Sequence, residues 1–164
     1  MTLSTHIIIA AAITKPLVAQ NPLFAFIISL ASHYMSDAIP HWDYSLQSTV
    51  RDENTNHEKI IFTKKTFYND LMRAGVDFAI GSIVVYVLFR PTTLNQYLFL
   101  IAIIAGSVLP DFLQGMYYGL HLKSIKIHQT FHDRMHTKIK LGPYPKIGIP
   151  FQLLIVIISL LFFI

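Results

Sequence analysis

Residues 94–119, LNQYLFLIAIIAGSVLPDFLQGMYYG, decide the fold. Between Tyr97 and Leu113 only Ser107 and Asp111 interrupt the apolar run. A helix needs about 20 predominantly apolar residues to cross a bilayer, so the stretch predicts a membrane-spanning helix. Asp111 is the anomaly in it. A carboxylate inside an apolar segment is expensive and faces a partner or a water-filled cavity. Pro110, just before it, frees backbone groups at the same level, which suits a cavity lining.

Working outward, four further apolar segments occupy residues 4–19, 22–39, 71–89 and 148–164. The first is interrupted by Lys15-Pro16 and is expected to kink, tilt or stop short of crossing. Its start lacks the Lys/Arg of a secretory signal, so it reads as mature protein. The third carries Asp77 in its first turns. Charged residues are 13% of the chain and hydrophobic ones 53%. Soluble domains carry about 25% charged residues, so this surface suits lipid better than water. The expected fold is all-α: a polytopic membrane helical bundle of about five apolar helices, forming one integral-membrane domain over 1–164. Two polar loops divide it, 41–69 with RDENTNHEK and 121–146 ending in the helix stop LGPYPK.

If all five segments cross, the N-terminus and both polar loops share one membrane face. Eleven of the thirteen Lys and Arg residues then lie there, with Lys15 and Arg90 opposite. The positive-inside rule makes that face cytoplasmic. The basic residues thus read as topology signals, and no nucleic-acid partner is expected despite a net charge of +4. All nine acids and all eight histidines fall at or near the same face. Loop composition accounts for Asp52, Glu53, His57 and Glu58. It does not account for His6, His33, Asp37, Asp77 and Asp111, which sit inside apolar segments.

The chain has no cysteine, so a metal here must be held by imidazole and carboxylate. In SHYMSDAIPHWDY (32–44), His33 and Asp37 stand four residues apart and share a helix face, where both can reach one ion. Pro40 ends or bends the helix, so that His41 and Asp43 curl back over its end. The blander reading is a polar helix end at headgroup level, anchored by Trp42 and Tyr44. In HQTFHDRMH (128–136), His128, His132 and His136 make a stripe at helical spacing. Its blander reading is a surface helix facing headgroups, with Lys126 and Arg134 on lipid phosphate. Asp77 has a structural alternative as an ion pair with Arg73, and Asp70 as a helix-start residue. His57 and His121 lack partners at ligand spacing. No GxSxG elbow, phosphate-cradling loop or dinucleotide fingerprint is present.

Thr5-His6 before an apolar helix, Asp37-x-x-Pro40-His41-x-Asp43, Leu109-Pro110-Asp111 and the closing histidines resemble a family of bacterial inner-membrane proteins described as metal-dependent hydrolases. The resemblance runs from His6 to His136. The commoner pattern of that family has Leu-Pro-Asp-x-Asp-His early and an HRG-x-T-H-like element later; here SDAIPHWD and HQTFHDRMH stand in those places. More distantly, His33-x-x-x-Asp37 is similar to the helical pair of the zinc-dependent phospholipase C and single-strand nuclease superfamily. That likeness implies metal-activated water attacking a phosphodiester.

The functional expectation is a membrane metal-dependent hydrolase of bacterial inner-membrane type, its site at the cytoplasmic headgroup level. His33, Asp37, Asp111, His128 and His132 are the expected ligands, with His6, His41 and Asp77 completing a second metal or orienting ligands. One to three divalent ions are expected, zinc first, with manganese or iron as alternatives. Asp43 or Asp77 would act as general base, and Lys126 or Arg134 would hold a phosphate. The expected partners are membrane lipids and a small amphiphilic or phosphorylated substrate. A membrane di-iron oxidase is one rival, although no HxxHH box is present. A non-enzymatic conduit or structural subunit is the other, although the far halves of the segments offer few polar residues.

Overall fold

The computed structural model describes residues 1–17, 21–51, 58–60, 64–120 and 122–163. Helix α1 (Leu3–Thr14) gives way to a 3₁₀ turn, Lys15–Leu17, at the Lys-Pro pair. Helix α2 spans Pro22–Asp37, and a short antiparallel ribbon follows, β1 (Thr49–Arg51) pairing with β2 (Glu58–Ile60). Helices α3 (Lys64–Phe89) and α4 (Leu94–Leu120) come next. A 3₁₀ turn at Lys123–Ile125 then leads into α5 (Lys126–Met135), and α6 (Pro145–Leu161) closes the bundle.

Local chemistry sets these boundaries. Pro22 occupies the first turn of α2, where its missing N–H costs nothing, and the Asn21 side chain accepts from the Leu23 N–H at 2.8 Å. At the end of α3, Arg90 takes a left-handed conformation (φ 47°) and Pro91 follows, so the helix cannot continue. Helix α4 runs through Pro110 without a break.

Among the described residues two helices, Lys65–Phe89 and Leu94–Leu120, are long and apolar enough to cross a membrane. Five were expected. At 1.5 Å per residue the 27 residues of α4 reach about 40 Å, whereas α1, α2 and α6 (12, 16 and 17 residues) reach about 18–26 Å against a core about 30 Å thick. The shortfall has local causes: Lys15-Pro16 halts α1, and α2 ends at Asp37, three residues ahead of Pro40. Helix α3 errs the other way. It starts at Lys64 rather than near 71, because KKTFYND extends the helix beyond the apolar stretch.

Helix α1 is the centre of the bundle, packed on α2, α3, α4 and α6. Thr5, His6, Ile7, Ile8, Ala10, Ala11, Ala12 and Thr14 are all buried, and only Ile13 on this helix is exposed. Ile7, Ala11, Ala25, Val85, Phe99 and Ile103 form the core around it. Two glycines permit the closest approaches. A Cβ on Gly81 would lie 2.6 Å from the Ser4 Cα, and one on Gly106 would lie 2.5 Å from the Phe26 carbonyl oxygen. Gly106 therefore sets the α2–α4 distance, as small residues do between membrane helices.

The outward faces are apolar. Phe24 and Ile27 on α2, Ile80 and Ile83 on α3, Ile101 on α4, and Leu154 and Ile157 on α6 are all exposed. Patches of this extent are uncommon on soluble monomers.

The bundle has one polar end. Backbone bonds join the chain after α2 to the chain after α5: Thr137 N–H to the Asp37 carbonyl (2.7 Å) and Leu141 N–H to the His41 carbonyl (3.2 Å). The start of α1 meets them there, with the Met1 amino group 2.9 Å from Asp43. At the other end Lys15 donates to the Phe162 carbonyl (3.1 Å), a favourable place for a cation beside the carbonyls that end α6.

Candidate metal centre

Asp37, in the last turn of α2, is the hub of the polar end. It is 1% exposed, and its two oxygens face different partners. Oδ2 lies 3.2 Å from Nε2 of His33, one turn earlier on the same helix face, and 3.1 Å from Nε2 of His132 on α5. The two imidazole nitrogens are 3.3 Å apart. Asp111 of α4 sends Oδ1 to 3.7 Å from each of them.

Donor atoms of His33, Asp37, Asp111 and His132 thus all lie within 4.8 Å of one another, and this His/Asp group can bind a metal ion. Five of the six donor–donor separations run from 3.1 to 3.7 Å. A tetrahedral ion with ligand distances of about 2.0–2.1 Å requires separations of about 3.3–3.4 Å. The three separations among His33, Asp37 and His132 lie close to that value, and those to Asp111 are a few tenths of an ångström longer.

The imidazoles are also oriented for the task. Nδ1 of His33 is 2.7 Å from the Ser107 carbonyl, and Nδ1 of His41 is 2.7 Å from the Ile39 carbonyl. A carbonyl only accepts, so both Nδ1 atoms carry hydrogen, and in the neutral ring Nε2 presents its lone pair to the cluster. Nδ1 of His136 makes the same contact with the Thr137 carbonyl, at 3.3 Å. The Gln114 side-chain amide nitrogen lies 3.3 Å from Nδ1 of His132 and holds that ring in place. Hydrogen bonds of this kind orient metal-ligating histidines.

His6, central on α1 and 1% exposed, stacks on His33 with ring centroids 4.0 Å apart. Its Nε2 is 3.1 Å from Oδ1 of Asp37 but out of line for a hydrogen bond, and neither ring nitrogen has a hydrogen-bond partner. An imidazole buried this way is costly unless something else satisfies it.

The other expected residues fall in three places. His41 and Asp43 lie at the cluster, with His41 Nε2 3.8 Å from Asp37 Oδ1 and 3.1 Å from Asp43 Oδ2. His128 lies one turn from His132, its Nε2 3.0 Å from the Tyr34 hydroxyl, outside the four-donor group. Burial and the neighbouring His132 and His33 hold its pKa below the ordinary 6.5. Burial likewise leads the lowering at His136, aided by the Met1 amino group and His41.

Asp77 is engaged elsewhere. Its Oδ2 accepts from the Leu3 N–H at 2.6 Å and its Oδ1 from the Ser4 hydroxyl, so it caps α1 from α3. Asp70 does the same for a turn, accepting from the Gln47 and Ser48 N–H groups. Lys126 and Arg134 are exposed on α5, whose buried side carries Gln129 and His132. Arg134, two residues from His132, points to the opposite side of the helix. His57 and His121 lie outside the described residues.

Ser107 and Gln114 were not singled out from sequence. A signal was present: positions 107, 111 and 114 share one face of α4 with helical spacing, so polar residues there accompany Asp111. Comparison with family models, with curated proteins and with solved structures finds no match for this chain.

Proposed function

We propose that this chain is a multi-pass protein of bacterial inner-membrane type that hydrolyses a phosphoester of a lipid or other amphiphile at the cytoplasmic headgroup level. The observation that carries the reading is the convergence of four donors from three helices, His33, Asp37, Asp111 and His132, within 4.8 Å of one another. In such a site a divalent ion, zinc first, supplies Lewis acidity and a water acidic enough to attack near neutral pH.

The chain's own residues supply the rest. His33, Asp37 and His132 are 0–1% exposed and form the closed side of the site. The Asp111 side chain is 23% exposed and its separations are the longest, so the site opens past Asp111. The Tyr34 hydroxyl, beside His128, is a donor for a phosphate oxygen reaching that opening. Asp43, 43% exposed and set between His41 (3.1 Å) and the Met1 amino group (2.9 Å), is the remaining carboxylate for the general-base role, whereas Asp77 is occupied by α1. Lys126 and Arg134, exposed on the outer side of α5, attract anionic lipid to this end of the bundle. The apolar outer faces of α2, α3, α4 and α6 keep the opening in the plane of the membrane, where an amphiphile arrives laterally.

The test is phosphate or headgroup release from mixed micelles of phospholipids and lipid phosphates by detergent-purified protein with added zinc or manganese. Turnover by the wild type that is lost in His132→Ala supports the reading. Absence of turnover on every phosphoester class with metal bound overturns it.

A further inference from the structure

The four-donor group uses only one oxygen of Asp37. Oδ1 points the other way, into a second cluster: Asp37, His41 and His136 also offer donor atoms within 4.8 Å of one another. His41 and Asp37 are buried, and His136 is partly so. The rings of His41 and His136 lie 4.8 Å apart. Both donate Nδ1–H to backbone carbonyls, of Ile39 and Thr137, and Nε2 of His41 faces the carboxylates of Asp37 and Asp43 at 3.8 and 3.1 Å. Strand-like bonds between 37–41 and 137–141 hold the two histidines on this side of Asp37.

Independent of that grouping is His6. It is 1% exposed, its ring nitrogens lack hydrogen-bond partners, and its Nε2 lies 3.1 Å from Oδ1 without the alignment of a hydrogen bond. This orphan points to a ligand on the Oδ1 side. The site also draws positive charge in the structure itself, because the Met1 amino group lies 3.2 Å from Oδ1. A metal ion bound on this side would displace that ammonium.

We infer that Asp37 bridges two divalent ions, one held through Oδ2 with His33, Asp111 and His132, the other through Oδ1 with His41, His136 and His6. The inference rests on the metal-site reading above and extends it. A carboxylate spanning two ions suits the separation of about 3.5–4 Å used by paired-metal phosphoesterases, in which one ion faces the attacking oxygen and the other the leaving oxygen. It also explains why histidines converge on Asp37 from four chain segments when one tetrahedral ion needs only two of them.

Manganese titration of detergent-purified, metal-stripped full-length protein tests this, read by elemental analysis and electron paramagnetic resonance. The expected wild-type result is two manganese ions per chain with an exchange-coupled spectrum. His132→Ala and the His41→Ala/His136→Ala pair should each retain one ion with an isolated-ion spectrum. A wild type that saturates at one uncoupled ion overturns the bridge, with the Met1 ammonium then the partner of Oδ1. The wild-type spectrum decides this alone should a variant fail to fold. Hydrolysis by a one-ion protein would defeat the bridge and leave the hydrolase reading standing. A coupled pair without hydrolysis of any phosphoester would do the reverse.

Discussion

Replacing Gly106 by alanine tests whether the donor spacing depends on how closely α2 and α4 pack. The new Cβ would sit 2.5 Å from the Phe26 carbonyl oxygen and 3.0 Å from the Ser29 Cβ. Carbon–oxygen contacts settle at about 3.3 Å or more, so the helices must part by about 0.8 Å at this point. His33 rides on α2 and Asp111 on α4. Their 3.7 Å separation then grows to about 4.5 Å, well beyond the tolerance of about 0.2 Å per ligand bond. Overpacking of this kind costs about 1–3 kcal/mol. If that falls on the bound state, zinc affinity drops about 5–150-fold. The assay is chelator-competition titration in detergent, with thermal melting alongside. Gly115→Ala, on the same helix with nothing within 4 Å of its added Cβ, is the control and should bind as wild type. Wild-type affinity and melting in Gly106→Ala would refute the reasoning.

Gln114→Ala should weaken zinc about 10–100-fold without changing stoichiometry, because it releases the His132 ring without removing a donor; unchanged affinity would remove Gln114 from the site. Asp77→Ala should cost about 1–2 kcal/mol of stability through the lost cap on α1, with metal stoichiometry retained; loss of the metal would instead return Asp77 to the ligand set. The pKa values of His128 and His136 are held below 6.5 in the folded protein, so the folded state binds fewer protons than the unfolded one. Their contribution is fully present above about pH 6.5 and is lost as pH falls below it. The melting temperature of metal-free protein should therefore fall from pH 6.5 to 5, and less steeply in His128→Gln/His136→Gln. Equal slopes in both proteins would contradict the assignment.

The metal-ligand grouping was legible where it depended on a single helix. The i, i+4 relation of His33 and Asp37 needs only helical geometry, and Asp111 stood out by its cost in an apolar run. The partition of carboxylates was not legible. Asp77 and Asp111 look alike in sequence, each a lone acid in an apolar segment. Which one meets histidines and which meets backbone N–H groups depends on where the start of α1 docks, and that is a tertiary fact. The central place of α1 was hidden for a related reason. Its short apolar sequence reads as a weak membrane span, yet its burial along most of its length follows from neighbours far along the chain. Helix lengths erred where proline and polar helix formers, rather than hydropathy, set the ends.

The most direct measurement is metal content by elemental mass spectrometry of detergent-purified protein, wild type beside Asp37→Ala and His132→Ala. Asp37 and His132 lie on different helices and meet at 3.1 Å. Near-stoichiometric divalent metal in the wild type, lost or at least halved in His132→Ala and absent from Asp37→Ala, is the expected result. A wild type that holds no metal even after reconstitution, or variants that keep the full wild-type complement, would contradict a metal centre built on Asp37.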